Sequence, residues 1–154
     1  VVVSEVNENR VNKAASFGLE VVNPMQTDVV AYVQEQTDGA GADVVFETSG
    51  SQPGVDTMVL LPKVHGRVVL VAIYGHPMTV DLKQLYYYEK DLTTARMQEP
   101  EDFAKAVQLL HDKAFDADQI ITAVLPLTDI QKGFDRAGDR AGHEVKVVID
   151  CHVD

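Results

Sequence analysis

Residues 1–10 read VVVSEVNENR, an apolar β-branched run that closes on a carboxylate at Glu5 and is followed by an arginine at Arg10. β-Branched side chains fit a pleated, half-buried surface, so the stretch reads as a strand with an acid at its C-terminal tip. Arg10 then falls in the first turn of the helix that follows. In open parallel sheets ligands bind in the crevice outside the C-terminal ends of the strands. A charged pair at such a tip is therefore a candidate binding element.

The alternation continues along the chain. Further strands are predicted at residues 19–23, 42–49, 67–73, 92–97, 121–125 and 144–150, mostly as near-continuous apolar runs expected to be covered on both faces. Between them, residues 8–17 place Val11, Ala14 and Ala15 on one helical face and stop at Gly18; residues 28–37 repeat this with Val29, Val30 and Val33 before Gly39. A third helix starts near Ser51 with Pro53 in its first turn, turns Val55, Met58 and Val59 inward and ends at Pro62. The fourth, residues 99–114, begins with Pro100 among acids and carries Phe103, Ala106, Val107 and Leu110 as its buried stripe. The last opens with the capping-box pattern TDIQ at 128–131 and buries Ile130 and Phe134. Strands alternating with helices, joined by right-handed crossovers, give a doubly wound α/β sheet.

The chain of 154 residues fits one domain, and its 45% hydrophobic and 24% charged content is that of a globular protein. With 13 Lys+Arg against 24 Asp+Glu the net charge is -11, which repels nucleic acid and anionic membrane surfaces. No apolar stretch approaches the ~20 residues that cross a bilayer, and the first residues lack the charged region of a signal peptide. A single cysteine, Cys151, excludes an internal disulfide and a Cys-cluster zinc site within the chain. The expected compartment is the cytoplasm, with no nucleic-acid or membrane partner.

Glu5 is placed to accept both hydroxyls of an adenosine ribose, and its charge would repel a 2′-phosphate, favouring NAD over NADP. It is equally suited to accept the backbone amides that start the next helix. Arg10 can fold back to stack on an adenine ring or stand solvated. Two further strand tips, ETSG at 47–50 and VAIYG at 71–75, end in small residues that let a flat ligand approach the backbone. They are also ordinary turn chemistry. The five histidines are scattered without metal-ligand spacing, and no Ser-His-Asp or GxSxG arrangement occurs. Residue by residue, the chain yields a nucleotide half-site and no catalytic centre.

The segments VVVSEVNENRVNKAASFG, VVNP, TDGAGADVVFETSG, HGRVVLVAIYG, MTVDL, EDFAKAVQLL, ITAVLPLTDIQKGFD and KVVID stand in an order and spacing that resembles the zinc-dependent medium-chain alcohol dehydrogenases. The likeness is to the sorbitol, butanediol and threonine dehydrogenase branch, over essentially the whole chain. The resemblance implies that residues 1–97 are part of a dinucleotide-binding Rossmann domain and that residues 98–154 complete it and pack back toward a catalytic domain. It implies that Glu5 binds the ribose of NAD and that Arg10 lies by the adenine. Thr48 and Ser49 join the cofactor set, while Val71, Ala72, Ile73, Ala95, Arg96 and Met97 line the nicotinamide end. MTVDL, residues 78–82, resembles the edge strand through which two subunits form one sheet, implying a homo-oligomer. The implied activity is hydride transfer from a small alcohol or polyol to NAD, with zinc expected only in the catalytic domain.

The family's first cofactor strand and its GxGxxG phosphate loop would precede Val1, so the expected fold is an incomplete Rossmann-type sheet, inactive by itself. In the order 3-2-1-4-5-6 the absent strand is the central one. It would leave a gap of about 10 Å between the strands at 1–5 and 42–49. Those strands are expected to close up, to be bridged by another segment, or to stay open. LPKVHG, residues 61–66, replaces the family's Pro-Gly-Gly turn. Three alternatives stand beside the dehydrogenase: a zinc-free quinone reductase of the same superfamily, a non-catalytic assembly or regulatory module, and a methyltransferase-like domain. The last would need an antiparallel final strand.

Overall fold

The computed structural model describes residues 1–114, 116–139 and 141–152. In chain order the elements are β1 (Val2–Ser4), α1 (Glu8–Ser16), β2 (Glu20–Val22), α2 (Val29–Gln36), β3 (Ala42–Glu47), α3 (Gln52–Met58), β4 (Pro62–Leu70), α4 (Leu82–Tyr87), β5 (Asp91–Thr94), α5 (Pro100–His111), β6 (Ile121–Pro126), α6 (Ile130–Gly138) and β7 (Lys146–Asp150). Every strand pair is parallel. The chain divides into two compact units, one of Val1–Met25 with Gln98–Asp154 and one of Gln26–Met97.

In the first unit β1 pairs with β2, from Val2 opposite Glu20 to Ser4 opposite Val22, and β6 pairs with β7 in a separate two-stranded sheet. Helix α1 starts where the Asn7 side chain accepts the Asn9 and Arg10 amides at 2.9 and 3.2 Å. Gly18, at φ 75°, ends it in the left-handed conformation expected from the sequence. Helix α6 meets its sheet through Gly133, where a Cβ would lie 2.8 Å from Ile149 Cδ1. That close approach turns Ile130 and Phe134 outward, at 43% and 68% exposure, against the expectation that both are buried. The capping box at 128–131 does not form either: the cap position falls on Asp129, which makes no side-chain cap hydrogen bond, and Gln131 Nε2 donates to Asp135 Oδ1 at 3.0 Å. Helix α5 has the amphipathic pattern that was read from its sequence, and the Asp102 side chain accepts the Glu99 amide at 3.1 Å, but the helix buries no residue. Phe103, Val107 and Leu110 stay 67%, 51% and 48% exposed, since a periodic face is buried only where a surface covers it.

In the second unit β3, β4 and β5 form a three-stranded sheet in that order. Helix α3 starts as expected, with Ser51 Oγ accepting the Gly54 amide at 3.2 Å and Pro53 in the first turn. It lays Val55, Met58 and Val59 against Val68 of β4, and Val45, Leu70, Tyr74, Met78, Val80 and Leu85 pack around them. Each of the four central side chains contributes about 1.5–3 kcal/mol by leaving water. Alternation along β3 turns Val45 and Glu47 to this core and sends Val44 and Phe46 to the other face, where they are 44% and 65% exposed. Residues 92–94 of β5 are exposed as well, so β3 and β5 are not covered on both faces as expected.

Two segments differ from their predicted form. Residues 62–66, read as a turn before a strand at 67, already belong to β4: Ala42 pairs with Pro62 but Val44 with Arg67, so a bulge carrying His65 at φ 57° interrupts the ladder. Residues 78–81 pair with no described strand, and Leu82, expected to end an edge strand, opens α4. The Gln52 side chain holds that stretch, its Nε2 donating to Thr79 O at 2.8 Å and its Oε1 accepting the Thr79 amide at 3.0 Å. Strand β1 pairs only with β2 and β3 only with β4 among the described strands.

Candidate functional site

At the tip of β1, Glu5 Oε1 accepts the amides of Val6 and Asn7 at 2.8 and 2.9 Å, and the Glu5 amide donates to Val22 O at 3.2 Å. These bonds fix the turn between strand and helix. They leave Oε2 facing Arg10 Nη1 at 3.9 Å, with the two side chains 24% and 39% accessible. The sequence left Glu5 between ligand contact and helix cap. Asn7 performs the cap, and Glu5 instead organises the turn with one oxygen while the other stands beside the guanidinium. A carboxylate so pinned can accept vicinal hydroxyls without losing side-chain entropy at that moment.

The second group lies at the C-terminal tips of β3, β4 and β5. The amides of Val71 and Ala72 both donate to Glu47 O, at 2.9 and 3.1 Å, and Ala95 N donates to Leu70 O at 2.9 Å. Thr48, Ser49, Val71, Ala72, Ile73 and Ala95 are thereby gathered along one edge of one sheet, with Arg96 and Met97 next in the chain. Gly50, at φ 62°, closes the loop after β3 so tightly that a Cβ there would stand 3.0 Å from Ile73 O. The rim is apolar and open: Val71, Ile73 and Met97 are 43%, 82% and 80% exposed. The structure brings Glu5 to Arg10 in one unit and the other eight predicted residues to the strand tips of the other.

Three residues of these groups were not named from the sequence: Asn7, Glu47 and Tyr74. Glu47 is 4% exposed, the one buried charged side chain among the described residues. Its Oε1 accepts Ser49 Oγ at 2.5 Å, Ser49 N at 2.9 Å and Gly50 N at 3.1 Å, and Oε2 accepts the Tyr74 hydroxyl. Burial pushes the Glu47 carboxyl up, but the bonds from Ser49, Tyr74 and the two amides outweigh it and hold it below its ordinary 4.5. The Tyr74 hydroxyl is raised, by burial first and by Glu47 next. A signal for Glu47 existed, because an acid in phase with Val45 in an apolar strand points inward.

A carboxyl with a depressed folded pKa contributes stability that is fully present above its unfolded value and is lost as pH falls through the folded one. Urea unfolding followed from pH 7 downward should therefore show stability dropping below about 4.5, the unfolded carboxylate range. Glu47→Gln should flatten part of that drop; an unchanged slope would show that Glu47 does not contribute.

Among the described residues no group of three His, Cys, Asp or Glu side chains stands close enough to hold a metal. No described helix is long and apolar enough to cross a membrane.

A sequence profile described as zinc-binding dehydrogenase matches residues 1–112. A 2-dehydro-3-deoxy-L-galactonate 5-dehydrogenase from Pseudoalteromonas atlantica is 38% identical over 155 aligned residues, spanning 100% of this chain and 45% of that protein. Among solved structures, the 2R,3R-butanediol dehydrogenase of Bacillus subtilis superposes with a TM-score of 0.81 at 28% identity, covering 96% of this chain and 42% of the other. The L-idonate 5-dehydrogenase of Escherichia coli gives 0.84 at 26% identity over 96% and 42%. The chain thus spans less than half the length of the relatives it matches.

Proposed function

Since the chain belongs to the zinc-binding dehydrogenase family, we propose that it is the cofactor-binding part of an NAD-dependent dehydrogenase of small alcohols or polyols. The observation that carries this reading is Glu5, pinned at a strand tip by two amides with its second oxygen beside Arg10. In this reading Glu5 accepts the ribose hydroxyls and Arg10 covers the adenine. Thr48, Ser49, Val71, Ala72, Ile73, Ala95, Arg96 and Met97 form the shelf for the nicotinamide, whose exposed apolar rim excludes water once a flat ring lies on it. Bound NAD supplies the acceptor for a hydride from the substrate carbon. The family's zinc ligands and the substrate pocket belong to the part of the protein outside these residues, so the 154 residues alone carry no activity. Residues 78–81, tied through Thr79 to the Gln52 side chain, form the proposed edge for pairing with a second copy, giving a homo-oligomer. The protein acts in the cytoplasm on this reading.

The test is Glu5→Ala in the intact protein. Losing a hydrogen bond to a charged group costs about 1.5–3 kcal/mol, so kcat/KM with NAD should fall about 10–100-fold. The rate with NADP should hold or rise, because the charge that repels a 2′-phosphate is gone. A wild-type preference for NADP, or an unchanged NAD rate in the variant, would defeat the reading.

A further inference from the structure

Glu47 is a buried charge that no element of the ribose site uses. Its backbone oxygen binds the amides of Val71 and Ala72, and its carboxylate binds Ser49, Gly50 and Tyr74. One residue thus holds both ends of the shelf, residues 48–50 after β3 and residues 71–74 after β4. The surroundings are built to it. At Gly54, in α3, a Cβ would fall 2.2 Å from Ser49 Oγ and 2.8 Å from Glu47 Oε1, so the helix leaves room there for the carboxylate and its partner. Ser51 Oγ, the cap of α3, stands 2.9 Å from Ser49 Oγ and links the helix start to the same cluster.

Every group bonded to the carboxylate donates to it, and two of them, the Ser49 and Gly50 amides, can only donate, so the oxygen that faces them must accept. A leucine here would leave those donors unmet, and a glutamine would turn an amide NH₂ toward at least one of them. A fold that needed only an apolar strand tip would not require this arrangement.

We propose that Glu47 is a positioning residue for the nicotinamide end of the cofactor, setting the spacing of the 48–50 and 71–74 loops through Ser49, Gly50 and Tyr74. This rests on the dehydrogenase reading above. Glu47 touches neither substrate nor cofactor in it and acts through the backbone of Thr48, Val71, Ala72 and Ile73. Its role is confined to one half of the dinucleotide, since Glu5 and Arg10 belong to the other unit of the chain.

The experiment compares NAD with ADP-ribose, which lacks the nicotinamide, as ligands of the intact protein by titration calorimetry. The variants are Glu47→Gln and Tyr74→Phe. Glu47→Gln should weaken NAD by tenfold or more and leave ADP-ribose within twofold of wild type. Tyr74→Phe should weaken NAD severalfold with ADP-ribose again unchanged. Equal losses of both ligands in a variant that stays folded would show a general structural role and overturn the proposal, as would NAD affinity that neither variant changes. If Glu47→Gln does not fold, Tyr74→Phe decides by the same two outcomes. Failure of the dehydrogenase reading looks different: the wild-type protein would bind neither NAD nor ADP-ribose.

Discussion

Met58→Ala should lower the free energy of unfolding by about 2–5 kcal/mol, the range for truncating a buried methionine. Met58 is 2% exposed and packs with Val55, Val59 and Val68, which are 2%, 1% and 0% exposed. These four make the fully buried cluster of the β3–β5 sheet, ringed by side chains that are only partly buried. Native domains are stable by only about 5–15 kcal/mol, and the loss is a large share of that. A urea titration should show the midpoint falling at constant slope. The control is Leu60→Ala, two residues on but 43% exposed, which should cost no more than about 0.5 kcal/mol. Similar losses for both variants would mean that the α3 face is not the core.

Gly41→Ala should be of comparable severity for a different reason. Gly41 sits at φ 95°, and a Cβ would stand 2.8 Å from both Leu61 O and Lys63 N, which are backbone atoms that cannot swing aside. Leu61 O is also the acceptor for the Ala42 amide at 2.9 Å, the bond that opens the β3–β4 ladder. The conformational cost alone is about 1–2 kcal/mol, and displacing that carbonyl adds to it, so the expected total is at least about 2 kcal/mol. Gly18→Ala isolates the first part: φ is 75° but nothing lies within 4 Å of the added carbon. It should cost about 1–2 kcal/mol. Equal effects at the two glycines would show that the close approach at Gly41 is relieved at no cost.

Local pattern in the sequence predicts the fold where a tertiary contact agrees with it. Ser51 with Pro53 announces α3, and Val55, Met58 and Val59 fall at helical spacing onto a strand that receives them. Gly18 and the acid at Glu5 mark the end of α1 and the tip of β1 where they were expected. It failed where the periodic signal is real but nothing in the described residues covers it: Phe103, Val107 and Leu110 of α5, and Phe134 of α6. Helix α4 has six residues, fewer than two turns, too short for periodicity to show. At the site, Glu5 and Arg10 were legible because they are polar at a strand tip. The tip at 47–50 is legible as a strand end, but the role of the Glu47 side chain is not, because it depends on Tyr74, 27 residues away in sequence.

The β1–β2 ladder has only three residue pairs, and a lone two-stranded ladder is marginal in water. Segments of this kind open locally at a free energy far below global unfolding, so the amides of β1 and β2 should exchange with deuterium long before those of β4. Because Glu5 rides on that ladder, a ligand held by Glu5 must also hold the ladder shut, and part of its binding free energy will appear as slowed exchange at Val3 and Ser4. The carboxylate proposed to hold the ribose would then also report, through its strand, whether a ligand is present.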